Sequence, residues 1–204
     1  MINNIELIKP LLNFTNEGDF YMLYIFKRKK DQTTDKANHQ SVRTIKTYCV
    51  DSIEYLEKRM DEVTQLCEMF KARAYIHIQK QNHKDVAMNM ITEIVTRIQS
   101  GQINQKNVFD SVVGQLKTNE KRWIIDIDDK DTKELVRITE LIHSLRPEGD
   151  KLEAVIPTKS GYHLITKRFD VLEFKKQYPN IDIQKKNPTL LYYPNSLENE
   201  IEFK

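Results

Sequence analysis

Apolar and polar residues alternate with two different periods along this chain of 204 residues, and the changes of period mark its elements. Ile5 to Leu12 reads as a short helix, and FYMLYIFKRK and RTIKTYCV as strands on either side of the polar stretch DQTTDKANHQS, a loop at 31–41. Beyond Asp51 or Ser52, either of which can cap a helix, apolar residues recur at Ile53, Leu56, Met60, Val63 and Leu66 or Cys67. That is the spacing of one helical face, and it runs to about Phe70. ARAYIHIQK then alternates as a strand does, with Ala74, Ile76 and Ile78 on one face and Arg73, Tyr75, His77 and Gln79 on the other. Helices are predicted over 83–99 and 107–116, a strand over 122–127 and a helix over 132–144. Strands follow at LEAVIPT and GYHLIT, then a short helix near 170–177 and strands at IDI and TLLYY. This order predicts an α+β fold in which helices pack on one sheet face. The other face is left to form a cleft with the polar side of ARAYIHIQK.

Composition narrows the class. Hydrophobic content of 39% with 30% charged residues suits a soluble globular chain with a real core. There is no apolar run of about 18 residues and no leader pattern, so a cytoplasmic, nuclear or virion-internal setting without membrane contact is expected. The two cysteines, Cys49 and Cys67, lack the paired spacing of a structural zinc site and are expected to be buried thiols.

A net charge of +2 argues against coating nucleic acid by bulk electrostatics. The charge is unevenly spread, however. Lys151 to Lys186 carries eight Lys or Arg against four acids, whereas the tail from Pro188 onward carries three Glu and one Lys. A further basic run, Lys27-Arg28-Lys29-Lys30, leads into the polar loop.

Candidate chemistry begins at KRWIIDIDDKD, residues 121–131. On a strand, Asp126 and Asp128 share a face while Ile125 and Ile127 occupy the other. Two carboxylates so placed need a cation, a shared proton or open water. The competing explanation is a turn and helix start, since Asp131-Thr132-Lys133-Glu134 has the pattern of a capped helix.

In PTKSGYHLI, Lys159, Ser160 and Gly161 form a tight turn ahead of His163. Glycine permits close backbone approach to an anion, and the other three can donate to phosphate oxygens; an ordinary hairpin turn is the alternative. Asp182, between two isoleucines in NIDIQKKN, is either an edge-strand surface residue or a buried acid with a partner. Should these pieces meet on one sheet face, three carboxylates could hold magnesium or manganese beside a nucleoside triphosphate.

In this combination the chain resembles the catalytic domain of archaeo-eukaryotic-type primases and primase-polymerases. The resemblance rests on IIDID with Asp126 and Asp128, SGYH with His163, and Ile181-Asp182, in that order. It covers the chain from Trp123 onward and reaches the N-terminal part through element order. It implies an N-terminal α/β module (1–120) and a C-terminal catalytic module like an RNA-recognition motif (121–204), together one compact domain with a cleft between them. It further implies metal binding by Asp126, Asp128 and Asp182 and triphosphate contacts from His163.

The sequence departs from the family pattern in having Gly161 where serine precedes x-His, a form similar to the end-joining polymerase branch. It also offers Phe169-Asp170 as a rival third motif and lacks a zinc element. The implied reaction is template-dependent nucleotidyl transfer on single-stranded or primed nucleic acid. The implied partners are nucleoside triphosphates and a replicative helicase or other replication protein. Lys159 and Ser160 would help orient the phosphates, and the face bearing Arg73, Tyr75, His77 and Gln79 would support a template strand. A non-catalytic module that binds single-stranded nucleic acid or a nucleotide is the alternative. A phosphohydrolase with Asp126 as nucleophile fits poorly, because too little chain follows the motif to complete an alternating α/β sheet.

Overall fold

A computed structural model describes residues 1–31, 42–102, 104, 107–115 and 121–197. Most of the predicted loop at 31–41, the last residue of the helix predicted to reach 116, and the acidic end of the tail lie outside these residues.

The chain opens with strand β1 (Ile2–Asn3) and helix α1 (Ile5–Ile8), extended by a 3-10 turn at Lys9–Leu11. Strands β2 (Asp19–Lys27) and β3 (Arg43–Val50) follow, then α2 (Ile53–Phe70), β4 (Arg73–Ile76), β5 (Gln81–Asn82), α3 (His83–Gln99) and α4 (Val108–Gln115). The remainder is β6 (Trp123–Ile127), α5 (Thr132–Ser144), β7 (Leu152–Pro157), β8 (Tyr162–Thr166), α6 (Val171–Gln177), β9 (Asp182–Gln184) and β10 (Thr189–Tyr193). The fold is α+β.

The strands form two sheets. The larger runs β1-β10-β4-β2-β3, with β5 attached to β2, and the smaller runs β7-β8-β6-β9. Every described strand pair is antiparallel, so the N-terminal part is itself α+β and not the α/β module expected. Nor does the expected division at 120/121 follow the sheets. Thr189–Tyr193 leaves the second sheet's segment and inserts between β1 and β4 of the first, with Thr189 opposite Ile76. The fully buried TLLYY run suits the middle of a sheet, and the first sheet is where it finds partners on both edges.

Alternation along β2 explains how the layers assemble. Tyr21, Leu23 and Ile25 join Leu56, Met60, Val63 and Cys67 of α2 in the main core, while Phe20 and Met22 join Val86, Val108, Val112 and Val113 of α3 and α4. Each such aliphatic side chain contributes about 1.5–3 kcal/mol on burial. Ser52 caps α2 by accepting a hydrogen bond from the Tyr55 amide at 3.1 Å.

In the second sheet Ile125, Ile127 and Leu164 pack beneath α5 and α6 on Ile138, Ile142 and Phe174. Their neighbours Ile124, Ile156 and Ile165 point the other way, into the main core. The two sheets are also joined by Asn4, whose amide donates to the carbonyls of Pro157 and Leu190, both at 2.9 Å. The four strands and two helices from β6 to β9 run β-α-β-β-α-β, with β6 and β8 central.

Three expectations about individual residues change. His77 lies beyond the end of β4, its amide donating to the Met22 carbonyl at 2.8 Å and its ring edge-on to Tyr24 at 5.6 Å. It is therefore not on an open template face. Lys151 belongs to the counted basic segment but is only 3% exposed. Its ammonium donates to the carbonyls of Ile142, His143 and Gly149 at 2.8, 2.9 and 3.1 Å, closing the C-terminal end of α5. Cys67 is buried and Cys49 half-buried; burial pushes the Cys67 thiol up to about 12, so it stays protonated.

Burial also pushes the His77 imidazole down, to about 4. A group neutral in the fold but protonated in the unfolded chain stabilises the fold above its unfolded pKa. That contribution is lost as pH falls from the ordinary histidine value toward 4. Stability from urea melts should therefore drop by up to about 3 kcal/mol between pH 6.5 and pH 4. His77→Gln should flatten that segment of the profile; an unchanged slope would exclude His77 as its source.

Candidate active site

Asp126 and Asp128 owe their orientation to the pleat of β6. With Ile125 and Ile127 held under α5 and α6, the even-numbered side chains must turn to the opposite face. Ile124 is covered there by the main core, whereas Asp126 is half-buried and Asp128, past the end of the strand, is exposed. Antiparallel register then brings two partners to Asp126, namely His163 on β8 and Asp182 on β9. Directly opposed residues share a face, so these three side chains lie in a row across three strands.

The hydrogen bonding is specific. The His163 ring has Nε2 3.5 Å from Asp126 Oδ1 and Nδ1 2.9 Å from the hydroxyl of Thr189, a buried residue of the other sheet. Gln184, two residues after Asp182 and so on the same face, donates one amide nitrogen to Asp126 Oδ2 at 3.1 Å and to Asp182 Oδ2 at 3.0 Å. Two carboxylates thus converge on a single donor. The imidazole beside Asp126 holds its carboxyl below the usual range against the opposing effect of burial. The charge of Arg28 and the Gln184 amide act in the same direction as the imidazole.

Asp126, Asp128, His163 and Gln184 line a cleft of about 340 Å3 together with Phe26 and Tyr75 of the first sheet and Arg28 just past the end of β2, whereas Asp182 is exposed and is not among its lining residues. The two aromatic rings are stacked, 4.7 Å apart and 5° from parallel. Lys159 and Ser160 line the same cleft, with the Lys159 ammonium 5.3 Å from the centre of the Tyr193 ring.

The remaining expected residues divide clearly. Gly161 does not make room for an anion. A Cβ there would lie 1.9 Å from the carbonyl oxygen of Ile127 and 2.7 and 2.8 Å from the amide nitrogen and carbonyl oxygen of Asp129. The residue is glycine so that the turn before β8 can lie on the backbone of the acidic turn after β6. Asp170 caps α6, accepting from the Glu173 amide at 3.1 Å, and does not line the cleft; the register with Asp126 belongs to Asp182.

The helix-start explanation of the acidic run holds for two of its residues. Asp129 and Asp131 accept backbone amides at the start of α5, while Asp126 and Asp128 line the cleft. Arg73 lines the cleft too, but its guanidinium is paired with Asp31 at 2.6 Å in a buried contact, so its charge is already partnered and gives no support to a template.

Among the described residues no three His, Cys, Asp or Glu side chains stand close enough together to hold a metal ion. Gln184, Thr189 and Arg28 were not singled out from the sequence. Strand alternation from Asp182 would have indicated Gln184. Nothing local would have indicated Thr189, which reaches His163 from another sheet. No family model, curated protein or solved structure matches this chain.

Proposed function

We propose that the chain is a template-dependent nucleotidyltransferase of the primase-polymerase type. The observation that carries this reading is the row Asp126, His163 and Asp182 in register on three adjacent strands, of which Asp126 and His163 line a cleft that also holds the cations Arg28 and Lys159. The β-α-β-β-α-β order of the second sheet is consistent with an RNA-recognition-motif-like catalytic module.

Asp126 and Asp182 converge on the positive end of the Gln184 amide, and carboxylate oxygens are the donors that magnesium or manganese takes, but with Asp128 they do not form a ready three-carboxylate site and would have to draw together around the ion. Asp126, Asp128 and Asp182 would hold the metal, which when bound would supply charge neutralisation at the transferred phosphate and a lower pKa for the attacking hydroxyl. The chain's own groups do the rest. Arg28, Lys159 and Ser160 bind the outer phosphates. Thr189 fixes the His163 ring, and the ring holds Asp126 ionised and oriented.

A non-catalytic nucleotide or single-strand binding module is the second reading. It is favoured by the Gln184 amide, which satisfies both carboxylates without a metal. Manganese titration followed by calorimetry or electron paramagnetic resonance separates the two. The catalytic reading expects saturable binding that weakens at least ~10-fold in Asp182→Asn, together with incorporation of labelled nucleotide on a primed template. Absence of both manganese binding and incorporation would leave the binding-module reading.

A further inference from the structure

The only tryptophan of the chain, Trp123, stands at the opposite end of β6 from the acidic row, with its side chain on the other sheet face. It lines a second and larger cavity, about 780 Å3, that includes Phe169, Arg146, Arg168, Lys185 and Lys121. The cavity is within the size range of ligand sites. Its charge is one-sided, with five cations, Lys186 included, against the single carboxylate of Asp170 in a chain whose net charge is only +2. Asp170 is engaged with the N-terminal turn of α6. Lys186 is engaged with the carbonyls at the end of α4. Among the described residues, Lys121, Arg146, Arg168 and Lys185 form no ion pair with a carboxylate.

The site is built and not merely open surface. Phe169 is buried and meets Trp123 edge-on at 5.4 Å, which fixes the indole plane. The Gln79 amide ties the floor together by donating to the carbonyls of Arg122 and Lys185. The Lys185 ammonium lies 5.2 Å above the indole. A cation–π contact at an exposed lysine is weaker than stacking of a nucleobase on the same ring, so an incoming base would displace Lys185 toward its phosphate.

We propose that this groove seats a single nucleic-acid strand, one base stacking on Trp123 while Arg146, Arg168, Lys185 and Lys121 neutralise the flanking phosphates. An indole face ringed by unpaired cations is complementary to alternating bases and phosphates. An acidic peptide would use the charges but leave the ring without a partner. The inference does not rest on catalysis at Asp126, since a chain that performs no chemistry would hold a strand here equally well.

Because Trp123 is the only indole, its emission reports this groove alone. Short oligothymidylate or oligouridylate added to the full chain should quench that emission saturably. The logarithm of affinity should fall with the logarithm of salt at a slope of about −3, as four phosphate contacts require. Arg146→Glu with Arg168→Glu, both at exposed positions, should weaken binding at least ~10-fold with the melting transition unchanged. Asp126→Asn should leave the quenching intact, which separates failure of this proposal from failure of the catalytic reading. Equal quenching by a duplex, by polyglutamate or by a mononucleotide at the same concentration would overturn the proposal. So would wild-type affinity in the double variant.

Discussion

Asp126→Asn should lower primer extension at least ~10^3-fold while shifting unfolding free energy by no more than about 1 kcal/mol. The expectation follows from the position of one carboxylate between two contacts: His163 at 3.5 Å on one oxygen, and the amide shared with Asp182 on the other. Asparagine keeps the shape of the side chain and can still accept from Gln184, so the strand loses little. It carries no charge, however, and a charge aimed at a transferring phosphate and its metal is worth several kcal/mol in a water-poor site. Extension, with magnesium or manganese and labelled nucleotides, is the measurement. Activity unchanged in this variant would assign the product to another site or to a contaminant and would end the catalytic reading of the cleft. Asp170→Ala is the matching control, since asparagine would cap a helix nearly as well as aspartate. That residue caps α6, so its loss should cost roughly 1 kcal/mol of stability and no activity.

Gly161→Ala should destabilise the fold by about 3 kcal/mol and, in the remaining folded protein, draw Lys159 and Ser160 away from the acidic side of the cleft. The added methyl would meet backbone, not a flexible side chain: the Ile127 carbonyl at 1.9 Å and Asp129 backbone atoms at 2.7 and 2.8 Å. Strand β6 cannot retreat, because Ile125 and Ile127 are anchored under the helices. The β8 turn must therefore withdraw, straining its Thr158–Gly161 hydrogen bonds at 2.8 and 3.1 Å. Urea midpoints measure the loss, and Gly114→Ala calibrates it. A Cβ at Gly114 in α4 meets nothing within 4 Å, and alanine there should be neutral or stabilising by up to about 1 kcal/mol. Equal midpoints for the two variants would show that the turn can move away from β6 without penalty.

These two residues mark how far local pattern reaches. The alternation in IIDID placed Asp126 on a face of its own. Register with strands whose contacts lie tens of residues away supplied the company it keeps there, with Gln184 reaching it over 58 positions. PTKSGYHLI suggested an anion site because glycine, serine and lysine can each serve one. Only the crossing of two backbones shows that Gly161 answers a steric demand from β6. Arg73, legible as a cation on a polar strand face, is neutralised by Asp31, and Lys151, legible as part of a basic segment, is buried among helix carbonyls.

By itself the sequence determined the succession of the longer helices and strands, a cap at Asp51 or Ser52, the helix start at Asp131, and the α+β class. All of these depend on hydrophobic period and on hydrogen bonds between residues a few positions apart. The tertiary structure alone decided that β10 crosses from the second sheet's segment into the first sheet and that His163 is held by Thr189. It also decided which cations are already paired. Those outcomes are set by competition among distant surfaces for the same buried partners, and no window of adjacent residues contains both competitors.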